Sequence, residues 1–231
     1  MDSRSSKENT ENYSSTDTPT RVCVKICGIT SVEAAQTVAN SGADSIGLVF
    51  YEKSPRNVSI EQAAKIYASL PPFITCVGLF MDPTPEFVET VLDNVGLDLL
   101  QFHGSETPEF CQSFPRPYIK AIGMDSVTTE DDFKKLADKY ITAKGFLVDS
   151  HAIGKAGGTG ETFNWNRIPQ NYTKPIILAG GLNLNNIADA IQACNIYGVD
   201  LSSGVESQPG IKDKQKITLL MKEVQRVHCK H

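Results

Sequence analysis

Short runs rich in β-branched residues alternate with longer amphipathic stretches from residue 22 almost to the C-terminus. This alternation is typical of strand–helix units that build a parallel sheet. The predicted strands are residues 22–27, 45–50, 74–80, 98–103, 118–122, 145–149, 175–179 and 198–202. The predicted helices are 31–41, 59–70, 84–93, 107–113, 129–139, 184–193 and 212–228. Residues 162–168 are too short and irregular a segment to predict as a helix.

Eight strands, each followed by a connection, favour a closed (β/α)8 barrel, the TIM-barrel fold of the α/β class. An open sheet with extra strands is the alternative, although a flavodoxin-like sheet needs only five such units. We predict one catalytic domain over residues 21–231. Residues 1–20 are polar, rich in Ser, Thr and Asn, and lack the apolar segment of a secretory signal, so we predict a disordered tail there.

Composition limits the partners of this chain. The net charge of −5, without clustered Lys and Arg, argues against a nucleic-acid-binding surface. It leaves a phosphorylated small molecule open as ligand, because helix N-termini and glycine loops bind phosphate without net positive charge. No run of apolar residues is long enough to predict a membrane span. The six cysteines show no C-x-x-C pair or zinc-type spacing, which predicts reduced thiols in the cytoplasm and no metal site. A monomer and a homodimer both remain open.

Polar side chains collect at the C-terminal ends of the predicted strands, where barrel enzymes carry their reactive groups. Cys27 ends the first strand, and alternation places Lys25 on the same face, one layer deeper. The nearby ammonium should lower the pKa of the thiol and favour a thiolate base. From position alone, a small apolar residue filling the barrel rim is an equal alternative.

A second group of polar residues follows the other strands. Asp149 ends the sixth strand and can serve as a general acid, or as a simple loop hydrogen-bond acceptor. Arg56 follows a proline in an exposed-looking loop and can fork onto a carboxylate, although a surface arginine is the plainer interpretation. Gln101 and His103 share the inward face of the fourth strand, and we predict both as substrate-binding residues. A lone histidine there is more often structural than a metal ligand. Together, Cys27 and Asp149 suit a proton-transfer isomerisation.

Three glycine-containing segments follow the sixth, seventh and eighth strands. They contain Gly157 with Gly158, Gly180 with Gly181, and Ser203 with Gly204. Backbone N–H groups at glycines can converge on an anion, and barrels often hold phosphate after strands seven and eight. No segment matches the nucleotide-binding G-x-x-x-x-G-K-[ST] pattern or a G-x-G-x-x-G after the first strand. The pattern therefore predicts a phosphate site without those nucleotide-binding devices.

Eight motifs, in order and at family spacing, resemble the phosphoribosylanthranilate isomerase family. They are KICGIT at 25–30, GLVFY at 47–51, KSPR at 53–56, VGLF at 77–80, LQFHG at 100–104, GGTGETF at 157–163, LAGGL at 178–182 and DLSSGVE at 200–206. The first and last of these are the most specific. The resemblance runs from about residue 22 to the C-terminal helix and leaves residues 1–20 outside it.

The resemblance implies an Amadori rearrangement of N-(5-phosphoribosyl)anthranilate to the carboxyphenylamino-deoxyribulose phosphate in tryptophan synthesis. It implies Cys27 as general base, Asp149 as general acid and Arg56 as the group that binds the anthranilate carboxylate. The phosphate would bind at Gly180-Gly181 and Ser203-Gly204, with help from Gly157-Gly158. No cofactor is implied, because the substrate nitrogen serves as electron sink. The alternatives are another phosphate-binding barrel, such as indole-3-glycerol phosphate synthase, and a barrel that binds a phosphorylated metabolite without catalysis.

Overall fold

A computed structural model describes residues 21–150 and 164–228. Eight parallel strands close into a barrel in chain order, with β1 hydrogen-bonded to β8 as well as to β2. The strands are β1 (Cys23–Cys27), β2 (Ser45–Phe50), β3 (Thr75–Phe80), β4 (Leu99–Phe102), β5 (Tyr118–Gly123), β6 (Phe146–Asp149), β7 (Ile176–Leu178) and β8 (Gly198–Leu201). The predicted closed barrel is confirmed, and the open sheet is excluded. The predictions for residues 1–20, Gly157 and Gly158 fall outside the described residues.

Seven α-helices are described around this barrel: α1 (Val32–Asn40), α2 (Ile60–Ala68), α3 (Pro85–Asn94), α4 (Pro108–Gln112), α5 (Glu130–Ala137), α6 (Ile187–Ala193) and α7 (Lys214–His228). Side-chain oxygens at the helix starts explain several boundaries. Ser31, Ser59 and Thr84 each accept a hydrogen bond from the backbone N–H three residues later. Within 164–168, only a single 3-10 turn forms, at Trp165–Arg167.

Two predicted helix starts are wrong. The sixth was predicted from residue 184, but the side-chain amides of Asn183 and Asn186 both bond the Gly181 carbonyl and keep this segment a loop. The last was predicted from residue 212. Instead, β9 (Glu206–Gln208) and β10 (Ile211–Lys212) form an antiparallel hairpin, and Asp213 caps α7 by accepting hydrogen bonds from two backbone N–H groups. The hairpin therefore places Lys212 on a strand beside the barrel mouth.

Apolar residues form two buried clusters. The larger lies between the barrel and the helices and includes Ile26, Phe80 and Phe102. The smaller is Ala121, Leu147 and Ala179, on three neighbouring strands, with Ile177 packed against it. Among residues 21–150 and 164–228, no helix is both long and apolar enough to cross a membrane.

Candidate active site

One pocket opens at the C-terminal ends of the barrel strands. Eight of the residues predicted for the site line it: Cys27, Arg56, Gln101, His103, Asp149, Gly180, Gly181 and Ser203. They lie at the ends of six different strands or in the loops just after them, and the parallel barrel brings them together because all its strands end at the same face. Asp200 and Ser202 also line the pocket.

Cys27 lies at the end of β1 and is only 6% exposed. Lys25 lies close to it, as alternation predicted. A Cβ built on Gly47 would lie 2.7 Å from the Cys27 sulfur and 3.0 Å from Lys25 Nζ, which shows that the two groups are neighbours. The Lys25 ammonium is itself buried and donates to both carboxylate oxygens of Asp200, at 3.0 Å each. A buried ion pair thus lies beside the thiol.

The predicted direction of the Cys27 pKa is wrong. Burial raises the pKa of the Cys27 thiol above its ordinary value, and the Asp200 carboxylate adds to that effect. The Lys25 ammonium does favour the thiolate, but it does not outweigh burial. The sequence showed the ammonium and not the depth of the thiol, so the thiol form predominates near neutral pH.

Asp149 lies at the end of β6 with a histidine beside it. Its Oδ2 is 3.5 Å from His103 Nε2, and Gln101 Nε2 is 3.1 Å from His103 Nδ1. The Gln101 amide therefore contacts Nδ1, and Nε2 of the same ring faces the Asp149 carboxylate. The Gln101 side chain is fully buried, and within the described residues its Oε1 has no hydrogen-bond partner. Contacts with Gln101 on one side and Asp149 on the other hold the His103 ring beside the Asp149 carboxylate.

Arg56 is not a surface arginine. It is 8% exposed, and its aliphatic stem crosses Gly28, where a Cβ would lie 2.5 Å from Arg56 Cδ. Its Nε and Nη2 each donate to one carboxylate oxygen of Glu206, at 2.8 Å. Arg56 therefore makes the predicted two-point contact with a carboxylate, but that carboxylate belongs to Glu206 of the protein itself. In the described residues Nη1 makes no hydrogen bond, which leaves that group for a ligand.

Lys212 completes this cluster from the β9–β10 hairpin. Its Nζ lies 2.7 Å from Glu206 Oε1, and its side chain is 1% exposed. Burial would raise the pKa of the Glu206 carboxyl, but its hydrogen bonds with Arg56 and Lys212 prevail and lower it. Burial lowers the pKa of the Lys212 ammonium, and Glu206 opposes that shift.

The glycine segments after β7 and β8 meet at the pocket. Gly180 and Gly181 have left-handed φ values of +81° and +65°, which favour glycine. A Cβ at Gly204 would collide with the Leu182 carbonyl oxygen, so the two segments touch because Gly204 has no side chain. Within the described residues, the backbone N–H groups of Gly180, Gly181 and Ser203 have no protein acceptor. Such unpaired N–H groups can bind an anion.

The sequence did not single out Asp200, Glu206 or Lys212 as site residues. Asp200 and Glu206 belong to the DLSSGVE motif, so the motif was a usable signal for both. No sequence signal indicated Lys212 as a site residue, because it belonged to a predicted helix. Among the residues that the structure describes, no cluster of three or more His, Cys, Asp or Glu side chains is arranged to hold a metal ion.

Comparison with known proteins agrees with this geometry. Residues 24–223 match the family model of N-(5'-phosphoribosyl)anthranilate (PRA) isomerase. The N-(5'-phosphoribosyl)anthranilate isomerase of Pseudomonas syringae pathovar tomato is 52% identical over 200 residues, which cover 87% of this chain and 96% of that protein. The enzyme of the same name from Cellvibrio japonicus is 51% identical over 194 residues, covering 84% and 89% of the two chains.

Solved structures give the same result. The crystal structure of phosphoribosyl anthranilate isomerase from Thermotoga maritima superposes with a TM-score of 0.80 at 38% identity, covering 89% of this chain and 99% of that one. A second one, in complex with reduced 1-(o-carboxyphenylamino)-1-deoxyribulose 5-phosphate, has a TM-score of 0.74 at 36% identity, with the same coverage. Given the matched residues and these identities, this chain belongs to the N-(5'-phosphoribosyl)anthranilate isomerase family.

Proposed function

We propose that this protein is a phosphoribosylanthranilate isomerase of tryptophan biosynthesis, acting by general acid–base catalysis. The observation that carries the proposal is that Cys27 and Asp149 line one pocket together with Arg56 and the glycine segments after β7 and β8. An acid, a base, a carboxylate-binding cation and a phosphate site are the parts that this rearrangement needs. No step of the reaction requires an external electron acceptor.

The chemistry assigns opposite tasks to the two catalytic residues. Asp149 would protonate the ribose ring oxygen as the C1′–O bond breaks, which gives an open-chain Schiff base. Cys27, as thiolate, would then take the proton from C2′, and the electron pair moves to the substrate nitrogen to form an enolamine. The enolamine becomes the ketone when C1′ is protonated and the 2′-hydroxyl loses its proton. The proton held by Cys27 must finally be lost and Asp149 reprotonated.

The binding residues hold both ends of the substrate in this proposal. Arg56 would bind the anthranilate carboxylate through Nη1, because Glu206 occupies its other edge. Gly180, Gly181, Ser203 and Gly204 would bind the phosphate through backbone N–H groups, and Gly157 and Gly158 stay predictions for the same role. Gln101 and His103 would act beside Asp149, where their contacts place them.

Two broader predictions accompany the function. The division into a tail at 1–20 and a catalytic domain at 21–231, and a cytoplasmic location, both stay predictions. The oligomeric state stays open between monomer and homodimer; a Thermotoga maritima relative of 35% identity is described as dimeric, with engineered monomers.

Turnover by the purified protein tests the function. We expect it to convert N-(5-phosphoribosyl)anthranilate to the deoxyribulose phosphate, followed by chromatography, and to restore growth of a tryptophan auxotroph that lacks this step. Cys27→Ser should stay folded and lose several orders of magnitude in kcat, since a hydroxyl is a far poorer base near neutrality. Cys23→Ser is the matched control, because Cys23 begins the same strand at the opposite end of the barrel. Binding of the product analogue without any turnover would instead favour the non-catalytic alternative.

A further inference from the structure

The cluster of Arg56, Glu206 and Lys212 is built more elaborately than carboxylate binding by one arginine requires. Glu206 takes two of the guanidinium donors, and an Arg–Glu pair alone has no net charge to attract an anionic ligand. Lys212 adds a second cation, bound to the Glu206 oxygen that Arg56 Nε also contacts. Counting one charge for each group, the three side chains sum to one positive charge.

The hydrogen bonds around Lys212 match the donors of an ammonium group. Nζ lies 2.7 Å from Glu206 Oε1, 3.1 Å from the Ser202 carbonyl oxygen and 3.4 Å from Ser202 Oγ. The Ser202 hydroxyl donates its one proton to the Cys27 carbonyl at 3.1 Å, so its oxygen can only accept from Lys212. Three acceptors around one nitrogen match the three N–H donors of an ammonium.

The hairpin that carries both residues is fixed against the site. Thr30 Oγ1 donates to the Gly210 carbonyl at 2.7 Å, and a Cβ at Gly210 would lie 2.7 Å from the Pro55 carbonyl, next to Arg56. Lys216 Nζ donates to the Glu206 carbonyl at 2.6 Å. The charges of Glu206 and Lys212 are therefore held at fixed positions beside Arg56.

We propose that Glu206 and Lys212 are positioning residues for the carboxylate end of the substrate. Glu206 orients Arg56 so that Nη1 is left for the ligand carboxylate, and Lys212 compensates the Glu206 charge so that the cluster keeps one positive charge. This inference rests on the proposed function. It adds that affinity for the carboxylate follows the net charge of the cluster and not Arg56 alone.

A charge series tests the inference. Lys212→Met leaves the cluster with no net charge, and KM should rise at least about tenfold with kcat nearly unchanged. Glu206→Gln keeps the side-chain shape and one acceptor for Arg56, so the double variant Glu206→Gln/Lys212→Met carries one positive charge again. Its KM should return to within about threefold of the wild-type value. Lys214→Met, which removes an exposed lysine at the start of α7, is the control and should leave KM unchanged.

Two product analogues separate the carboxylate from the phosphate. The first analogue is the reduced carboxyphenylamino-deoxyribulose phosphate, and the second is the same molecule without the carboxyl group. The Kd of each is measured by calorimetry on all four variants and the wild type. Lys212→Met should weaken binding of the analogue with the carboxyl group at least about tenfold, and binding of the analogue without it by less than about twofold. Equal weakening of both analogues would place the charge effect at the phosphate and overturn the inference.

Two further outcomes distinguish a failure of this inference from a failure of the proposed function. If the double variant binds no better than Lys212→Met, the two residues act only through packing, and the inference is wrong. If the wild type binds both analogues but converts no substrate, the proposed function fails while the analogue series still tests the cluster. Unfolding in urea, measured on each variant, separates a loss of folded protein from a loss of affinity.

Discussion

Replacing Gly47 by alanine tests the role of Cys27 without removing any functional group. Gly47 lies beside Cys27 in the β1–β2 pairing, and a Cβ there would lie 2.7 Å from the Cys27 sulfur and 3.0 Å from Lys25 Nζ. Ordinary non-bonded contacts between heavy atoms are about 3.5–4.0 Å long. The thiol must therefore move by about 1 Å to make room for the methyl group.

A displacement of that size has a predictable effect on rate. Misplacing a reacting group by about 1 Å costs on the order of 100-fold, so we expect kcat of Gly47→Ala to fall by about that factor. Overpacking should also cost about 1–3 kcal/mol of unfolding free energy. Gly198→Ala is the matched control, because its Cβ would meet the Cys23 carbonyl at 3.1 Å, at the opposite end of the barrel. It should lose stability without losing kcat.

Steady-state kinetics and urea unfolding on both variants provide the measurement. A kcat for Gly47→Ala within about twofold of the wild-type value would show that the position of Cys27 is not critical, and would refute the reasoning. An equal loss of kcat in Gly198→Ala would mean that any strain in the barrel reduces activity. The first result would remove the assigned role of the thiol as the positioned base, and the second would mean that the loss in Gly47→Ala does not depend on Cys27.

Four further predictions follow from the same structure. Asp149→Asn should lower kcat by about 10²–10⁴-fold with little change in KM. Arg56→Lys should instead raise KM more than it lowers kcat. Steady-state kinetics that show the reverse pattern would contradict both roles. Because burial raises the pKa of Cys27 and only the thiolate accepts a proton, kcat/KM should increase with pH through neutrality, and a flat profile would exclude a thiol base. Burial also raises the pKa of Cys76 to about 12, so the contribution of this thiol to the unfolding free energy should be constant below about pH 8.5. Above that pH the unfolding free energy measured in urea should decrease, as the thiol ionises in the unfolded chain. Deleting residues 1–20 should leave kcat/KM and Tm unchanged, because the family match begins at residue 24; a lower Tm would show that the segment stabilises the barrel.

The barrel could be predicted because its signal is local. Each strand is a short apolar run, and several helices begin at a capping residue such as Ser59 or Thr84. Alternation along a single strand was sufficient to place Lys25 beside Cys27. The β9–β10 hairpin lacks such a signal, since the segment from Glu206 to Lys212 is short, mostly polar, and adjoins a real amphipathic helix.

The electrostatics of the site could not be predicted in the same way. Arg56 and Glu206 are 150 positions apart, so no local pattern indicates that the predicted surface arginine is buried in an ion pair. The direction of the Cys27 pKa depends on a balance between one ammonium and the surrounding depth of protein, and only the ammonium is visible in the sequence. The sequence therefore predicted which side chains meet in the pocket better than it predicted what surrounds them.

The ion pairs of the site also constrain the order in which it can form during synthesis. Lys25 bonds Asp200 across 175 positions, and Thr30 bonds Gly210 across 180. A nascent chain that has β1 to β7 outside the ribosome still lacks β8, the partner of β1, and leaves Lys25 without its carboxylate. Because such distant contacts form late and slowly, the barrel is exposed to misfolding until its last strand and hairpin are made. The pocket is then assembled only after β8 and the hairpin have left the ribosome, in the same event that closes the barrel.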